Sequence, residues 1–173
     1  TGVVAVAAGE YHSLALLANG RVRSWGYNAK GQLGIGTTGD RSEYQNVQTS
    51  SGVELIGITS LAAGDSFSCA RFHDGRLYAW GDDSYGQLGN GTSFGLSYWA
   101  ALSSVSLLSQ LPAAPAAGAH FSLAPSIYGT SSLGHYVWGQ NTYGQHGTSS
   151  TSPSVQTPAF STKLGGVRSL AAG

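Results

Sequence analysis

The chain has 173 residues, of which 41% are apolar and only 9% are charged, and its formal net charge is zero. A nucleic-acid-binding protein needs a basic surface to neutralise phosphates, so this charge balance argues against that class. The apolar fraction, together with four Trp and nine Tyr, argues against disorder. No run approaches the roughly 18 apolar residues of a membrane-spanning helix. We therefore expect one folded domain that neither binds nucleic acid nor spans a membrane.

Three short markers recur along the chain in constant order and define an internal repeat. The first is the string Ala-Ala-Gly, whose glycines are spaced by 55, 54 and 55 residues. The second is the pair Trp-Gly, and the third is Gly-Gln-Leu-Gly, which becomes Gly-Gln-His-Gly in its last copy. The markers have these positions: Gly9, Gly64, Gly118 and Gly173 end the first; Trp25-Gly26, Trp80-Gly81 and Trp138-Gly139 form the second; and 31–34, 86–89 and 144–147 form the third.

The first unit predicts a series of β-strands. A strand over 3–6 precedes the first marker, and strands over 13–17 and 21–25 flank the turn Asn19-Gly20, which is typical of a β-hairpin. The second unit repeats the hairpin with Asp-Gly in the turn. Two residues after each Trp-Gly stands an Asn or Asp, whose side chain can close a local turn. These residues are Asn28, Asp83 and Asn141.

The third unit departs from the pattern in three places. Residues 125–134 read as a lengthened hairpin loop, which Pro125 interrupts. Pro115 directly precedes the marker alanines, and His146 stands where the other units have leucine. We therefore expect this unit to be the least regular of the three.

A period of about 55 residues with three to four short strands per unit is typical of a β-propeller blade. We predict an all-β fold in which 1–173 form a single propeller segment, with units at approximately 1–55, 56–110 and 111–165 and with 166–173 starting a fourth. The small residues of Ala-Ala-Gly fit innermost strands that converge on the axis. The three repeated tryptophans fit the interior between adjacent sheets, where a large ring buries much area.

Taken together, these markers resemble the repeat of the regulator of chromosome condensation. The resemblance covers the whole chain as three units, and it implies a seven-bladed β-propeller. Roles in that family include guanine-nucleotide exchange on a small nuclear GTPase, plant UV-B sensing and protein interaction within larger proteins, including ubiquitin ligases. Seven units of about 55 residues would need about 385 residues. We therefore expect a partial propeller, or a ring completed by missing repeats or by association with other chains.

The titratable residues suggest no reaction centre. His12 aligns with Phe67 and Phe121, a packing position, and no pair of histidines has the short spacing of a metal site. Glu10 and Asp65 follow their marker glycines, one per unit, which suits a rim position more than a paired acid and base. The single cysteine lies in a strand and is expected to be buried and inert. We predict no catalytic residue, no cofactor, no metal and no enzymatic activity.

The most aromatic connector of the chain lies in the second unit and contains Phe94, Tyr98 and Trp99. Trp99 does not recur in the other units, and exposed aromatic residues on loops are common in binding surfaces. These three residues are our candidates for partner binding. The alternative is that Trp99 folds back to cover the edge of a blade.

Absence of a catalytic constellation, together with the resemblance, predicts a non-catalytic scaffold that binds a protein partner. A first alternative is a guanine-nucleotide exchange factor for a small GTPase, for which 125–134 is the candidate inserted wedge. A second alternative is a glycan-binding propeller, which Tyr27, Tyr85 and Tyr143 would support through aromatic loops beside Asn and Asp.

Overall fold

The structure is a computed structural model that describes residues 2–91, 96–101, 114–128, 132–163 and 170–172. For residues 96–101, 127–128 and 132–133 it describes the backbone alone. Within these ranges the chain forms strands and no helix, and thus no helix that could cross a membrane. The strands are β1 Val3–Ala8, β2 His12–Leu17, β3 Val22–Gly26, β4 Arg41–Asn46, β5 Ile58–Ala63, β6 Phe67–Phe72, β7 Leu77–Asp82, β8 Leu96–Ala101, β9 Ala116–Ala117, β10 Phe121–Tyr128, β11 Ser132–Gln140 and β12 Ser154–Ser161.

The strands form three antiparallel four-stranded sheets, each in sequence order: β1–β4, β5–β8 and β9–β12. The predicted all-β fold is therefore confirmed. Each sheet lies within one of the predicted repeat units, whose exact boundaries remain a prediction. The hairpin chemistry is visible in the first sheet, where Gly20 has a φ of 77° and its N–H donates to the carbonyl of Leu17 at 2.8 Å.

The third sheet corrects one expectation. In the described part of the segment 125–134, residues 125–128 and 132–134 are not a loop, because they lie in the paired strands β10 and β11, with Pro125 opposite His135 and Ile127 opposite Leu133. The extra length of this unit therefore extends a paired hairpin, and Pro125 does not interrupt it. The innermost strand of the same sheet, β9, contains only two residues, whereas β1 and β5 contain six each.

The register explains why proline is tolerated in β10. In the first sheet the N–H of Leu17 bonds across the hairpin to Arg21, so the preceding residue, Leu16, directs its N–H toward the innermost strand. Pro125 is the counterpart of Leu16 and therefore lacks a donor only on the side of β9. Because β9 has no residue opposite Pro125, no ladder bond is lost there.

The three sheets lie side by side along their innermost strands. The N–H of Glu10 donates to the carbonyl of Asp65 at 3.2 Å, and the N–H of Asp65 donates to that of Ala119 at 3.1 Å. The marker glycines permit this approach: a Cβ on Gly9 would lie 2.5 Å from the carbonyl oxygen of Gly64, closer than real Cβ contacts come. The small residues of Ala-Ala-Gly thus have a steric cause.

Tryptophan fastens the second sheet to the first. Trp80 is fully buried and packs with Val22 and Val47, and its indole N–H donates to the carbonyl of Gln32 at 2.9 Å. The same carbonyl accepts the hydroxyl of Ser68 at 2.9 Å. The carbonyl belongs to the Gly-Gln-Leu-Gly turn of the first sheet, so two of the repeat markers meet in space.

The joint between the second and third sheets repeats this geometry. Trp138 is fully buried, and its indole N–H donates to the carbonyl of Gln87 at 2.8 Å. The hydroxyl of Ser122 donates to the same carbonyl at 3.1 Å. Both joints are therefore built from equivalent atoms of the repeat.

Trp25 differs from its two counterparts. It is half-buried and borders a groove of about 510 Å³ that is lined also by Ser42, Glu43 and Tyr44. The expectation of an interior position does not hold for this residue. Among the described residues, no sheet precedes the first one and places a Gly-Gln-Leu-Gly turn against the Trp25 ring.

Candidate functional site

Hydrogen bonds from Asx side chains hold the turns that follow β3, β7 and β11. In each turn one side-chain oxygen accepts a backbone N–H five residues later, which closes the turn as the sequence predicted. The pairs are Asn28 with Leu33 at 2.9 Å, Asp83 with Leu88 at 3.0 Å, and Asn141 with His146 at 3.0 Å. The three turns consequently share one shape.

Glutamine side chains then fix the residue at the tip of each turn. The N–H of Tyr85 donates to Oε1 of Gln87 at 2.8 Å, and the N–H of Tyr143 donates to Oε1 of Gln145 at 2.9 Å. Both tyrosines are thus held on turns whose backbone is fastened at two points. The first sheet has Lys30 at this position.

The Trp-Gly glycine brings the start of one strand beside the end of the next. Gly26 has a φ of 107°, and a Cβ there would lie 2.4 Å from the carbonyl oxygen of Tyr11. The N–H of Tyr27 donates to that carbonyl at 2.8 Å, and the rings of Tyr11 and Tyr27 meet edge to face at 6.3 Å. A glycine is required at this crossing both by its φ and by its space.

These features place four exposed tyrosines along one end of the three sheets, which we call the tyrosine rim. The fractional exposures are 66% for Tyr11, 41% for Tyr27, 38% for Tyr85 and 89% for Tyr143. The rim lies at the end of the sheets opposite to the β2–β3 and β6–β7 turns. Its rings stand on hydrogen-bonded turns and on strand starts rather than on long loops.

A cavity of about 280 Å³ lies beside the tyrosine rim where the innermost strands meet; we call it the hub cavity. Its walls are mostly alanine and glycine, and its charged lining is the carboxylates of Glu10 and Asp65. The hydrogen bond from Tyr11 to Glu10, with the charges of Glu10 and Asp65, raises the pKa of the Tyr11 phenol. His120 stacks on Tyr85 at 5.0 Å, and its Nε2 lies 3.9 Å from Asp65.

Among the described residues, no three His, Cys, Asp or Glu side chains are placed to hold a metal ion. Cys69 is fully buried, and burial raises the pKa of its thiol to about 12, so the nucleophilic thiolate is not populated at neutral pH. Burial lowers the pKa of His12 to about 4, and its Nε2 lies 2.9 Å from the hydroxyl of Ser68. His12 thus serves packing between two sheets.

The aromatic connector of the second unit is part of a sheet. Tyr98 and Trp99 lie in β8, which pairs with β7, so the interpretation of this segment as a loop is wrong. Its aromatic residues fit the side strand of a sheet. Phe94 lies outside the described residues, and the side chains of Tyr98 and Trp99 are also outside them. Their role in partner binding remains a prediction.

Sequence reasoning missed Tyr11 and His120 as members of the surface. Both stand two residues after a marker glycine, so the repeat alignment contains a signal for them. Their contacts with Tyr27 and Tyr85 depend on the register between sheets, which no local pattern reveals. The sequence also did not predict that backbone carbonyls would accept the hydrogen bonds of the tryptophan side chains.

Four-stranded antiparallel sheets that stand side by side along their innermost strands, with one tryptophan joint between neighbours, are the blades of a β-propeller. Two sequence models of the regulator of chromosome condensation (RCC1) repeat match this chain, one at residues 3–32 and 58–87 and the other at 19–71 and 74–105. The chain belongs to the RCC1 repeat family.

Relatives within this family are much longer proteins. The chain is 36% identical over 154 residues to the probable E3 ubiquitin-protein ligase HERC6 of Homo sapiens, which covers 88% of this chain and 14% of the relative. It is 43% identical over 86 residues to the ultraviolet-B receptor UVR8 of Arabidopsis thaliana, which covers 50% of this chain and 19% of the relative. The chain therefore spans less than a fifth of either protein.

Solved structures show the same fold. A chain in the crystal structure of Kap60 bound to yeast RCC1 (Prp20) matches 98% of this chain and 38% of its own length, with a TM-score of 0.72 and 24% identity. Human WBSCR16 matches 91% of this chain and 37% of its own length, with a TM-score of 0.70 and 24% identity. The three sheets thus have the fold of blades in a propeller of the RCC1 type.

Proposed function

We propose that the chain is a non-catalytic protein-interaction scaffold that binds a protein partner through the tyrosine rim. The observation that carries this proposal is the row of four exposed tyrosines at one end of the blades. Tyrosine supplies a large contact area with few rotatable bonds, and it is enriched among residues that dominate binding energies. The hydrogen-bonded turns reduce the entropy that binding would cost.

The comparisons support a binding role of this kind. One structurally similar chain belongs to a complex of yeast RCC1 (Prp20) with Kap60, and another structure of Prp20p was described with its binding to Gsp1p and histones. We infer that this chain likewise binds proteins, without assigning it any of those partners. Its zero net charge gives no support to nucleic-acid binding.

We also propose that further blades complete the ring, supplied either by additional repeats or by a second copy. Trp25 supports this, because its counterparts Trp80 and Trp138 each insert beside a Gly-Gln-Leu-Gly turn of the preceding blade. The groove beside Trp25 is the place where an equivalent turn would lie.

The exchange-factor alternative stays a proposal, because its candidate wedge forms a hairpin that is longer than those of the other two blades. The candidate wedge, 125–134, pairs within the third blade up to Tyr128 and again from Ser132. The glycan-binding alternative keeps one favourable observation, since Tyr27, Tyr85 and Tyr143 are all exposed. A binding assay on a glycan array separates it from protein recognition.

Peptide display against the immobilised chain tests the scaffold proposal. The rim variant carries Tyr11→Ala, Tyr85→Ala and Tyr143→Ala. The control carries Val53→Ala and Ile56→Ala, two exposed apolar residues in the connector between β4 and β5, away from both the rim and the groove beside Trp25. We expect selected peptides to bind the wild type and the control but not the rim variant. Peptides that bind the rim variant equally well, or capture of glycans alone, would contradict the proposal.

A further inference from the structure

The part of the hub cavity that the described residues form is large enough for one side chain. Its volume is about 280 Å³, below the range of roughly 300–1,000 Å³ that is typical of small-molecule sites. Gly9, Gly64 and Gly118 line it together with neighbouring alanines, so no bulky group fills its floor. It opens beside the tyrosine rim, where a bound protein segment would pass.

The charge of this cavity is one-sided. Of its described lining residues, only Glu10 and Asp65 are ionisable, and both are acidic. Both carboxylates act on the same phenol, since each raises the pKa of Tyr11 through its negative charge. The two blades therefore contribute to one region of negative potential. A cation is the complementary occupant.

Aromatic rings border the same region. Tyr11 is hydrogen-bonded to Glu10, and Tyr85 stacks on His120 next to Asp65. Tyrosine faces attract cations, and they do so most effectively for the planar and weakly hydrated guanidinium. Guanidinium can also donate two parallel hydrogen bonds to a carboxylate.

We propose that the hub cavity binds an arginine side chain of a cationic peptide segment, between Glu10 and Asp65, while the flanking residues of that segment contact the tyrosine rim. This inference rests on the proposed function, because it names the chemistry of the partner that the rim would bind. The repeat also supplies a way to strengthen the site. Ala119 occupies in the third blade the position of Glu10 and Asp65, and it lines the same cavity.

The test measures the affinity of a fluorescent arginine-rich octapeptide by anisotropy at low ionic strength, with lysine and glutamate analogues. Combined Glu10→Gln and Asp65→Asn should weaken arginine-peptide binding by about tenfold, the sum of two exposed charge contacts. Ala119→Glu should strengthen it by several-fold. The control Asp74→Asn removes an exposed carboxylate from the β6–β7 turn, at the opposite end of the blades, and should leave the affinity unchanged.

Three results would overturn the inference: equal effects of the hub and control variants, equal binding of the glutamate peptide, or displacement of the peptide by millimolar calcium. Thermal melts of each variant identify any loss of folding, and Ala119→Glu keeps the test decisive because it adds affinity. Failure here is separable from failure of the scaffold role. Displayed peptides that need the tyrosines but not the carboxylates would leave the scaffold role intact.

Discussion

Two buried indoles share their carbonyl acceptors with serine hydroxyls, and these few atoms join the blades. The backbone carbonyl of Gln32 accepts the indole N–H of Trp80 and the hydroxyl of Ser68. In the same way, the carbonyl of Gln87 accepts the indole N–H and a serine hydroxyl of the third blade. A buried carbonyl has two lone pairs, so each acceptor is fully satisfied. At this scale the repeat encodes a contact between blades as well as the structure of each blade.

The loss of stability when a repeated tryptophan is replaced by alanine should therefore differ from blade to blade. Trp80→Ala should lower the free energy of unfolding by about 3–5 kcal/mol, since it leaves a cavity and removes one of the two hydrogen bonds that the Gln32 carbonyl accepts. Trp25→Ala should cost well under half of this, because the ring is half-buried. Trp99→Ala should cost under about 1 kcal/mol if that residue is a surface anchor. Urea denaturation measures all three; equal losses for Trp25 and Trp80 would contradict the assignment.

Asp83 provides a residue-scale test by pH. It is buried, and burial raises the pKa of its carboxyl to about 6, whereas its counterparts Asn28 and Asn141 are uncharged. Because the folded pKa lies above the unfolded value of about 3.9, stability is lost as the pH rises from about 4 to about 6. Asp83→Asn should stabilise the chain at pH 7 by on the order of 2 kcal/mol. Thermal melts should show this gain vanishing below about pH 4, and a gain independent of pH would refute the cause.

Secondary-structure elements were predicted correctly where residues close together in the sequence determine them. The Asn19-Gly20 turn and the Asx turns are set by residues within a few positions of each other. The predictions for Pro125 and for the segment of Trp99 were wrong because both depend on neighbouring strands. The innermost strand β9 ends before the position opposite Pro125, so the missing N–H of the proline costs no bond. The aromatic segment pairs with β7 and forms β8. The third blade is also the one with a two-residue innermost strand, as its departures from the pattern suggested.

His146 is expected to destabilise that blade, and a single substitution tests this. It is buried at the position of Leu33 and Leu88, and burial lowers its pKa to about 4 against a weaker opposing contact with the Gln140 backbone. Neither ring nitrogen makes a well-aligned hydrogen bond within the described part of the chain. His146→Leu should raise the free energy of unfolding by about 1–3 kcal/mol, the cost of an unpaired buried polar group.

The pH profile adds a second readout to this prediction. The unfolded histidine takes up a proton near pH 6.5 and the folded one only near pH 4, so the wild type loses stability as the pH falls through that window. His146→Leu should remove the share of this loss that comes from His146, whereas the share from His12, whose pKa burial also lowers to about 4, should persist. The variant His73→Gln, in an exposed turn, serves as the control. A variant that melts lower than the wild type at pH 7 would show that the imidazole has an unrecognised partner.

Over the whole molecule, the repeat predicted the architecture better than the surface. Period, turn residues and small hub residues were readable because each blade repeats them. The tyrosine rim was readable only in part: Tyr27, Tyr85 and Tyr143 stood out in the sequence, whereas Tyr11 joined them through the crossing at Gly26. The convergence of Glu10 and Asp65 required three blades to be seen side by side.

Hydrogen exchange of the chain with and without a peptide selected by display locates the binding face directly. The account predicts slower exchange confined to the tyrosine rim and its hub, at residues 9–11, 26–32, 64–66, 83–87, 118–120 and 141–147. The turns at 18–20 and 73–75, at the opposite end of the blades, should exchange as in the free chain. Protection at those turns or along 96–101, with the rim unchanged, would contradict the assignment of the tyrosine rim as the partner-binding face.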